Sequence, residues 1–462
     1  MDKLPPGPAT IVWPLLRYLA DPHGVFPALA RRHGDPFLLP IPGTAGTVVT
    51  GDPEGVRAVM GAPPEVFTSF RTEATEQMLG QHSLYFQSGA AHREARRVLS
   101  PPFHGARMRL HGPTVLDVAR AHMRGFRPGA ALDLRGVMDW ISLEVIVRVV
   151  LGVTDEARIR RYHRTMVEGL ASITPAVLFI RWLRREYGGF GPWAKARRFY
   201  RGLMRLLEEE IAARRARGAG HGGDGGDVLG ALLRAGDHGE RRMSDVEIRD
   251  KLYDLIIAGY ETTAVALAWA VYEICRHPRV EQRLLAELHG LGDDLDPEAV
   301  AKLPYLEAIC HEVLRLHPNF VLLTRTLARP LDLKGYTLPP GQNVSVAIGI
   351  AHFREETFPR PGSFEPERFL DRTYSPFEYL PFGGGAQRCL GAPFALHEMK
   401  LVLAALFRRH VIALEPGAPV RAAARAVTVG PAAAIRVVVL GERSARRPGA
   451  GAPAPREATA PS

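Results

Sequence analysis

The chain has 462 residues, 46% of them hydrophobic, which is enough to bury a substantial core and reads as a globular protein. Lys and Arg number 59 against 49 Asp and Glu, and the net charge of +10 allows attraction to nucleic acid, an acidic membrane surface or an acidic protein without choosing among them. Three cysteines, Cys275, Cys310 and Cys389, exclude a disulfide framework and paired Cys-x-x-Cys zinc ribbons, so a reducing, cytoplasmic setting is expected.

Leu4-Pro5-Pro6-Gly7-Pro8 predicts an extended leading segment, because consecutive prolines cannot seed a helix interior. The apolar stretch Ile11 to Leu16 is broken by Pro14 and falls short of the roughly 20 residues a spanning helix needs, so no membrane span is expected. From Asp52 to about Arg217, apolar residues at three- and four-residue spacing predict helices, as in Leu132 to Val150 and Tyr200 to Ala213. The basic runs Arg158 to Arg164 and Arg214 to Arg217 read as solvated helix faces, and Gly218 to Asp227 as a loop.

Ser244-Asp245-Val246-Glu247 has capping-box spacing and opens a long periodic segment that reaches His277, where Pro278 stops it. Its central residues, Leu255 to Gly259, are apolar nearly all round, so the helix is expected to be buried in the middle of the molecule. A further helix is predicted from Leu303-Pro304 to before Pro318, then strands at Leu322 to Leu327 and Asn343 to Ile348 around the turn Leu338-Pro339-Pro340-Gly341. A last helix covers about Pro393 to Arg409. The expected fold is mainly α: a single large domain over residues 1–443 with a smaller β-containing subregion, followed by a disordered tail over 444–462.

The densest chemical signal is Pro381-Phe382-Gly383-Gly384-Gly385-Ala386-Gln387-Arg388-Cys389-Leu390-Gly391, just before the last helix. A phosphate cradle fails on spacing, since neither Gly-x-Gly-x-x-Gly nor a closing Gly-Lys-Ser/Thr is present. Cys389 as a buried small hydrophobe would leave the glycines unexplained, whereas glycines permit tight turning and close approach to a flat ligand. A cysteine at a helix N-terminus has its thiolate favoured by the dipole and by free N–H donors, which suits an iron ligand. Ala258-Gly259-Tyr260-Glu261-Thr262-Thr263 sets an acid and an alcohol in mid-helix, where an ionisable group is costly unless paired or hydrated. A local rule broken there marks a functional position, with a satisfied polar pocket as the bland alternative. The Thr262 hydroxyl can bond back to a backbone carbonyl and open a groove.

Phe382-x-x-Gly385-x-x-x-Cys389-x-Gly391 resembles the haem-binding loop of the cytochrome P450 family. Glu261-Thr262, Glu312-x-x-Arg315 and Pro366-Glu367-Arg368-Phe369 fall in that family's order, and the likeness runs from about Leu4 to Leu440. It implies haem b with the Cys389 thiolate on iron; Ala258, Phe382, Gln387 and Gly391 against the haem; and His92, Arg96 and Arg325 at its propionates. Glu261 and Thr262 would deliver protons to bound O2. Gln387 departs from the pattern, because a basic residue usually stands there; whether Gln387 or Arg388 meets a propionate is left open. Taken alone, Glu312 and Arg315 read as an ordinary surface pair, but the resemblance makes them structural, joined by Arg368.

The implied activity is a monooxygenase that hydroxylates or epoxidises a hydrophobic small molecule. Electrons are expected from a separate ferredoxin or flavodoxin and its NAD(P)H reductase. The same haem site could run as a peroxygenase or isomerase, or serve a haem-binding sensor. The resemblance places Met78, Leu84, Leu255, Ala258, Val321, Leu322 and Val429 around an apolar substrate. A monomer without a nucleic-acid partner is expected.

Overall fold

The computed structural model describes residues 4–443 apart from 42–43, 70, 171, 174–180, 185–187, 218–225, 236–241, 292–294, 418 and 426–427. Most of the predicted Gly-rich loop and the whole of the predicted tail, 444–462, therefore lie outside the described residues. Helices of eight or more residues are α1 (Val12–Ala20), α2 (Val25–His33), α3 (Pro53–Met60), α4 (Gly89–Leu99), α5 (Gly112–Met123), α6 (Leu134–Leu151), α7 (Glu156–Leu170), α8 (Pro192–Ala216), α9 (Asp245–Arg276), α10 (Pro278–His289), α11 (Pro304–Leu316) and α12 (Ala392–Arg409). Pro14 does not break the first of these. It sits in the opening turn of α1, where its missing N–H has no intrahelical partner to lose.

Helix α9 organises the molecule. The Ser244 hydroxyl accepts from the Glu247 N–H at 3.2 Å while the Glu247 carboxylate accepts from the Ser244 N–H at 2.8 Å, so the capping box closes as its spacing predicted. At the other end Pro278 both stops α9 and starts α10. α9 packs on α6, α8, α11 and α12, and every residue from Thr263 to Ile274 is buried. α9 is long and apolar enough to cross a membrane, but 67% of its apolar window is buried inside the molecule, which makes it the core helix. The helix is buried as expected, but not evenly at Leu255 to Gly259. Ile256 is buried, but Leu255, Ile257 and Gly259 are only partly so and Ala258 is exposed, because the helix borders an internal opening at that turn.

The strands are β1 (Phe37–Leu39), β2 (Thr47–Thr50), β3 (Phe67–Thr68), β4 (Ala131–Asp133), β5 (Leu322–Leu327), β6 (Leu331–Leu333), β7 (Tyr336–Leu338), β8 (Asn343–Ala347), β9 (His410–Leu414), β10 (Ala422–Ala424), β11 (Val429–Pro431) and β12 (Arg436–Glu442). The largest sheet has the order β1-β2-β8-β5-β3, with β2 and β8 parallel and the other pairs antiparallel. The leading segment docks on its edge through the Leu38 N–H, which donates to the Pro6 carbonyl at 2.9 Å. β4, β12 and β9 form a second sheet; β10 with β11 and β6 with β7 form hairpins.

Two charge readings change in three dimensions. Arg214 is no solvated face residue: it is buried, pairs with Asp227 at 3.0 Å and donates to the Leu151 carbonyl at 3.0 Å. Arg158 likewise pairs with the buried Glu210. Glu312, Arg315 and Arg368 form a buried network rather than a surface pair, with Arg315 at 2.7 Å and Arg368 at 3.0 Å from the Glu312 carboxylate. Arg315 also donates to the carbonyls of His352, Pro361 and Ser363, so its planar fork is filled, as a buried guanidinium requires. The neutral His352 ring extends this frame, accepting from the Leu380 N–H at 2.9 Å just before the cysteine loop.

Candidate functional site

The loop that carries Cys389 is shaped by two glycines in left-handed backbone, Gly383 at φ 69° and Gly385 at φ 64°. A Cβ on Gly385 would lie 2.4 Å from the Met60 carbonyl oxygen, so the loop presses against the end of α3 where no side chain fits. The chain then doubles back, and the Cys389 N–H donates to the Phe382 carbonyl at 2.9 Å. Gly391 caps α12, and the N–H groups of Gly391 and Ala392 bond the Cys389 sulfur and favour its thiolate, as do Arg96 and Arg388. Burial outweighs them and pushes the thiol pKa up. Cys389 is nonetheless solvent-accessible. Nothing lies within 4 Å of where a Gly391 Cβ would stand.

A cluster of cations stands near this loop. His92 and Arg96 lie one turn apart on α4, and Arg96 donates to the Arg388 carbonyl at 2.7 Å. Arg325, on β5, donates to the Gly384 carbonyl at 3.2 Å and to the Gln387 side-chain oxygen. Among the described residues no carboxylate pairs with Arg96 or Arg325. Burial drives the Arg325 pKa down to about 10, and burial followed by the charges of Arg96 and Arg325 lowers that of His92. His92, Arg325 and Gln387 line one cleft with Phe67 and Met60. Buried positive charge without an acidic partner is costly, and a ligand bringing carboxylates would relieve it.

On α9 the Thr262 hydroxyl donates to the Ala258 carbonyl at 2.6 Å, the back-bond anticipated from its sequence position. Glu261 is clamped from two sides, by Arg135 of α6 at 3.6 Å and by Arg425, which follows β10, at 3.7 Å. Arg135 in turn holds Asp139 at 2.8 Å. Asn319 donates to the Thr262 carbonyl at 3.0 Å and accepts from the Val429 N–H at 2.8 Å, tying the β10–β11 hairpin to the acid–alcohol pair. Beneath lies Glu398 of α12, fully buried, with one carboxylate oxygen unpartnered and its pKa pushed up to about 8 by burial.

Among the described residues no group of three or more His, Cys, Asp or Glu could hold a bare metal ion. A single cysteine in a glycine-shaped loop suits a metal that arrives with its other ligands attached, as iron does in porphyrin. The cytochrome P450 family profile matches residues 4–430. The chain belongs to the cytochrome P450 family. Similar curated proteins include putative cytochrome P450 135B1 of Mycobacterium tuberculosis and Mycobacterium bovis, 34% identical over 88% of this chain and 85% of that protein. Putative cytochrome P450 135A1 of Mycobacterium tuberculosis is 33% identical over 88% of this chain and 89% of its own length. Among solved structures, retinoic acid-bound cyanobacterial CYP120A1 superposes with a TM-score of 0.83 at 25% identity, covering 95% of this chain and 99% of that one. The haem domain of cytochrome P450DA gives a TM-score of 0.82 at 26% identity over 96% and 99% of the two chains.

As a P450 this chain is a haem-thiolate monooxygenase, an oxidoreductase, and its fold is the mainly α one expected. The structure groups the residues singled out from sequence as follows. Cys389, Phe382 and Gly391 share the loop; His92, Arg325 and Gln387 share the cleft, with Arg96 one helical turn from His92; Ala258, Glu261 and Thr262 share the partly open turn of α9. Gln387, not Arg388, lies in the cationic cleft. The apolar pocket residues fall on two sides. Met78, Leu84 and Leu255 belong to the main core, and the Leu84 N–H is held by Asp254 at 2.7 Å; Val321, Leu322 and Val429 belong to a smaller cluster. Arg135, Asp139, Asn319 and Arg425 were missed from sequence; Arg135 and Asp139 are a local four-residue pair, but Arg135, Asn319 and Arg425 reach α9 from segments distant in the chain, which no local signal marks.

Proposed function

We propose that this P450, with residues 1–443 as one haem domain, uses haem b and O2 to hydroxylate or epoxidise a hydrophobic small molecule in the cytoplasm. Its electrons come from a separate ferredoxin or flavodoxin and that protein's NAD(P)H reductase. The reading rests above all on the solvent-accessible Cys389 in its glycine-shaped loop, close to Arg96 and near Arg325, neither of which pairs with a carboxylate among the described residues.

In this reading Cys389 would hold the haem iron through its thiolate, Arg96 and Arg325 would offset the charge of the haem carboxylates, and His92 would donate a hydrogen bond to them. Gln387 compensates for its missing charge by accepting from Arg325 and so fixing that guanidinium. When bound, a haem carrying a cysteine thiolate supplies reductive activation of O2. Thr262 spends its proton on the Ala258 carbonyl, which leaves its oxygen free to accept from a water in the groove. Glu261 holds a proton-exchanging carboxylate next to it, and Arg135 and Arg425 set where that carboxylate lies. Met78, Leu84, Leu255, Ala258, Val321, Leu322 and Val429 exclude water from the substrate.

The test is a carbon monoxide difference spectrum of the reduced protein, followed by turnover with a surrogate ferredoxin and reductase. The wild type is expected to give the thiolate-type band and Cys389→Ala to lose it; a retained band would refute the ligand assignment. Thr262→Ala is expected to keep the band while diverting several-fold more of the NADPH into peroxide, because the hydroxyl that positions the proton-bearing water is lost. Unchanged peroxide yield would remove Thr262 from the proton path.

A further inference from the structure

A cleft of about 580 Å³ opens along one face of α12, and it shares no residue with the cysteine loop, the cationic cleft or the apolar pocket described above. Pro393, Leu396, His397 and Lys400 recur at three- and four-residue spacing, so they line it from one side. Glu307 of α11 and the short helix Pro297–Ala301, which packs on both α12 and α5, border it elsewhere. Met108, Ala301, Pro393 and Leu396 give it partly buried apolar surface, and the exposed Arg109 and Lys302 bring positive charge.

His397 is only 2% exposed, and neither of its ring nitrogens has a hydrogen-bond partner among the described residues. Burial, followed by the charges of Lys400, His111 and Arg109, holds its pKa down to about 4, so the ring is neutral and offers one N–H donor and one acceptor. A buried polar group left unbonded is costly, and a ligand atom that bonds the ring relieves that cost. The charged residues of the cleft are unequally satisfied. Lys400 is buried and donates to the Ala301 carbonyl at 2.6 Å and to the Glu307 carboxylate at 2.9 Å. Glu307 is committed in turn, because His311 at 3.7 Å and then Lys400 hold its carboxyl down to about 2. Arg109 meets Glu298 at 3.7 Å in an exposed pair that solvent screens. Lys302 pairs with no carboxylate among the described residues. Three cations against two carboxylates leave one positive charge beside a neutral donor.

We propose that this cleft binds a small organic carboxylate, at a site separate from the haem and the substrate pocket. The carboxylate lies between Lys302 and Arg109 and accepts the His397 N–H, and the apolar body of the ligand covers Met108, Ala301, Pro393 and Leu396. One negative charge matches the one excess positive charge, whereas a cation would add to it. The volume falls in the roughly 300–1,000 Å³ range of small-molecule sites, and the mix of apolar lining with a few convergent polar groups is what such sites share. A ligand that touches α12 and the helix Pro297–Ala301 together binds the folded chain alone and so stabilises it. None of the residues assigned to haem, oxygen or substrate takes part.

The experiment is calorimetric titration of the full-length holoprotein with benzoate and with benzamide, its neutral analogue, while the Soret band is followed. Benzoate is expected to bind one to one, to raise the thermal midpoint and to leave the Soret band unshifted. Benzamide should bind about tenfold more weakly, since it lacks the charge that Lys302 and Arg109 meet. Lys302→Glu should weaken benzoate binding about tenfold and His397→Leu several-fold, with the wild-type carbon monoxide spectrum kept in both. Three results would overturn the proposal. One is no benzoate binding, or equal binding of benzamide. Another is binding that shifts the Soret band and ignores both substitutions, which would put the ligand in the haem pocket. The third is slower reduction by ferredoxin in Lys302→Glu when the wild type binds no benzoate, which would make the cleft part of the partner's docking surface. Loss of the thiolate band in the wild type with benzoate binding intact would refute the monooxygenase reading and leave this site standing.

Discussion

At Gly385 two independent constraints meet on one backbone position: a positive φ that side chains rarely adopt and a carbonyl 2.4 Å from any added Cβ. Gly391, in the same motif, has φ −86° and open space around it, so it is free of backbone strain. The two glycines therefore do different jobs, one to shape the loop and the other to leave room beside it. Gly385→Ala is expected to lower the ratio of haem to protein and the thermal midpoint, with about 1 kcal/mol from the left-handed backbone alone and more from the clash with Met60. Gly391→Ala should leave the midpoint of the apoprotein nearly unchanged. Equal effects in the two variants, read by haem absorbance and thermal melts, would contradict this division. Arg325 teaches a related lesson. Its depressed pKa and its two oxygen acceptors, Gly384 and Gln387, show how a buried cation is kept tolerable when no carboxylate is at hand.

At the scale of elements, the β10–β11 hairpin is more than one wall of an apolar pocket. It reaches α9 twice, through the Arg425 side chain to Glu261 and through the Val429 N–H to Asn319, whose amide holds the Thr262 carbonyl. Pocket wall and acid–alcohol pair are thereby set by one element. Arg425→Gln should retain haem and the thiolate band but raise peroxide release several-fold, and Arg425→Lys should recover part of the coupling, because charge rather than the guanidinium fork is what Glu261 meets at 3.7 Å. In a Glu261→Gln background the Arg425 substitution should add nothing; additive effects would mean that the two residues act separately. Helix limits, by contrast, were readable beforehand. The capping box at Ser244, Pro278 and the first-turn Pro304 each act through backbone within four residues, so neighbours in sequence suffice to place them.

Over the whole molecule, buried titratable groups set opposing pH limits. Burial holds His23, His163 and His397 down to about 4 and His352 to about 3, so they stay neutral when folded. Unfolded histidine takes up its proton near 6.5, so each of these four destabilises the fold as pH falls from about 6.5 toward 4. Glu398 acts with the opposite sign: its folded pKa of about 8 exceeds the unfolded value near 4.5, so stability is lost as pH rises between the two. Glu398→Gln should therefore raise the thermal midpoint at pH 8 relative to wild type, with the gap closing toward pH 4.5. A gap independent of pH would show that the carboxyl does not titrate as its surroundings demand. Between about 4.5 and 6.5 the four histidines outnumber Glu398 and Asp254, the latter's carboxyl pushed up to about 6 by burial, and wild-type stability is expected to fall on acidification.

What the sequence alone determined is whatever depends on residues near one another in the chain: the helix caps, the strand runs, the glycine–cysteine loop and the acid beside Thr262. Those features follow from backbone geometry and hydrogen bonding over a few residues, and for the same reason they carry a recognisable family pattern. Only tertiary structure decided which arginines clamp Glu261, that Arg214 is buried, that Ala258 faces an opening and that His397 is buried beside Lys400. Each of these depends on which distant segment lies against the residue. Burial and charge pairing are sums over spatial neighbours, which a linear pattern does not contain.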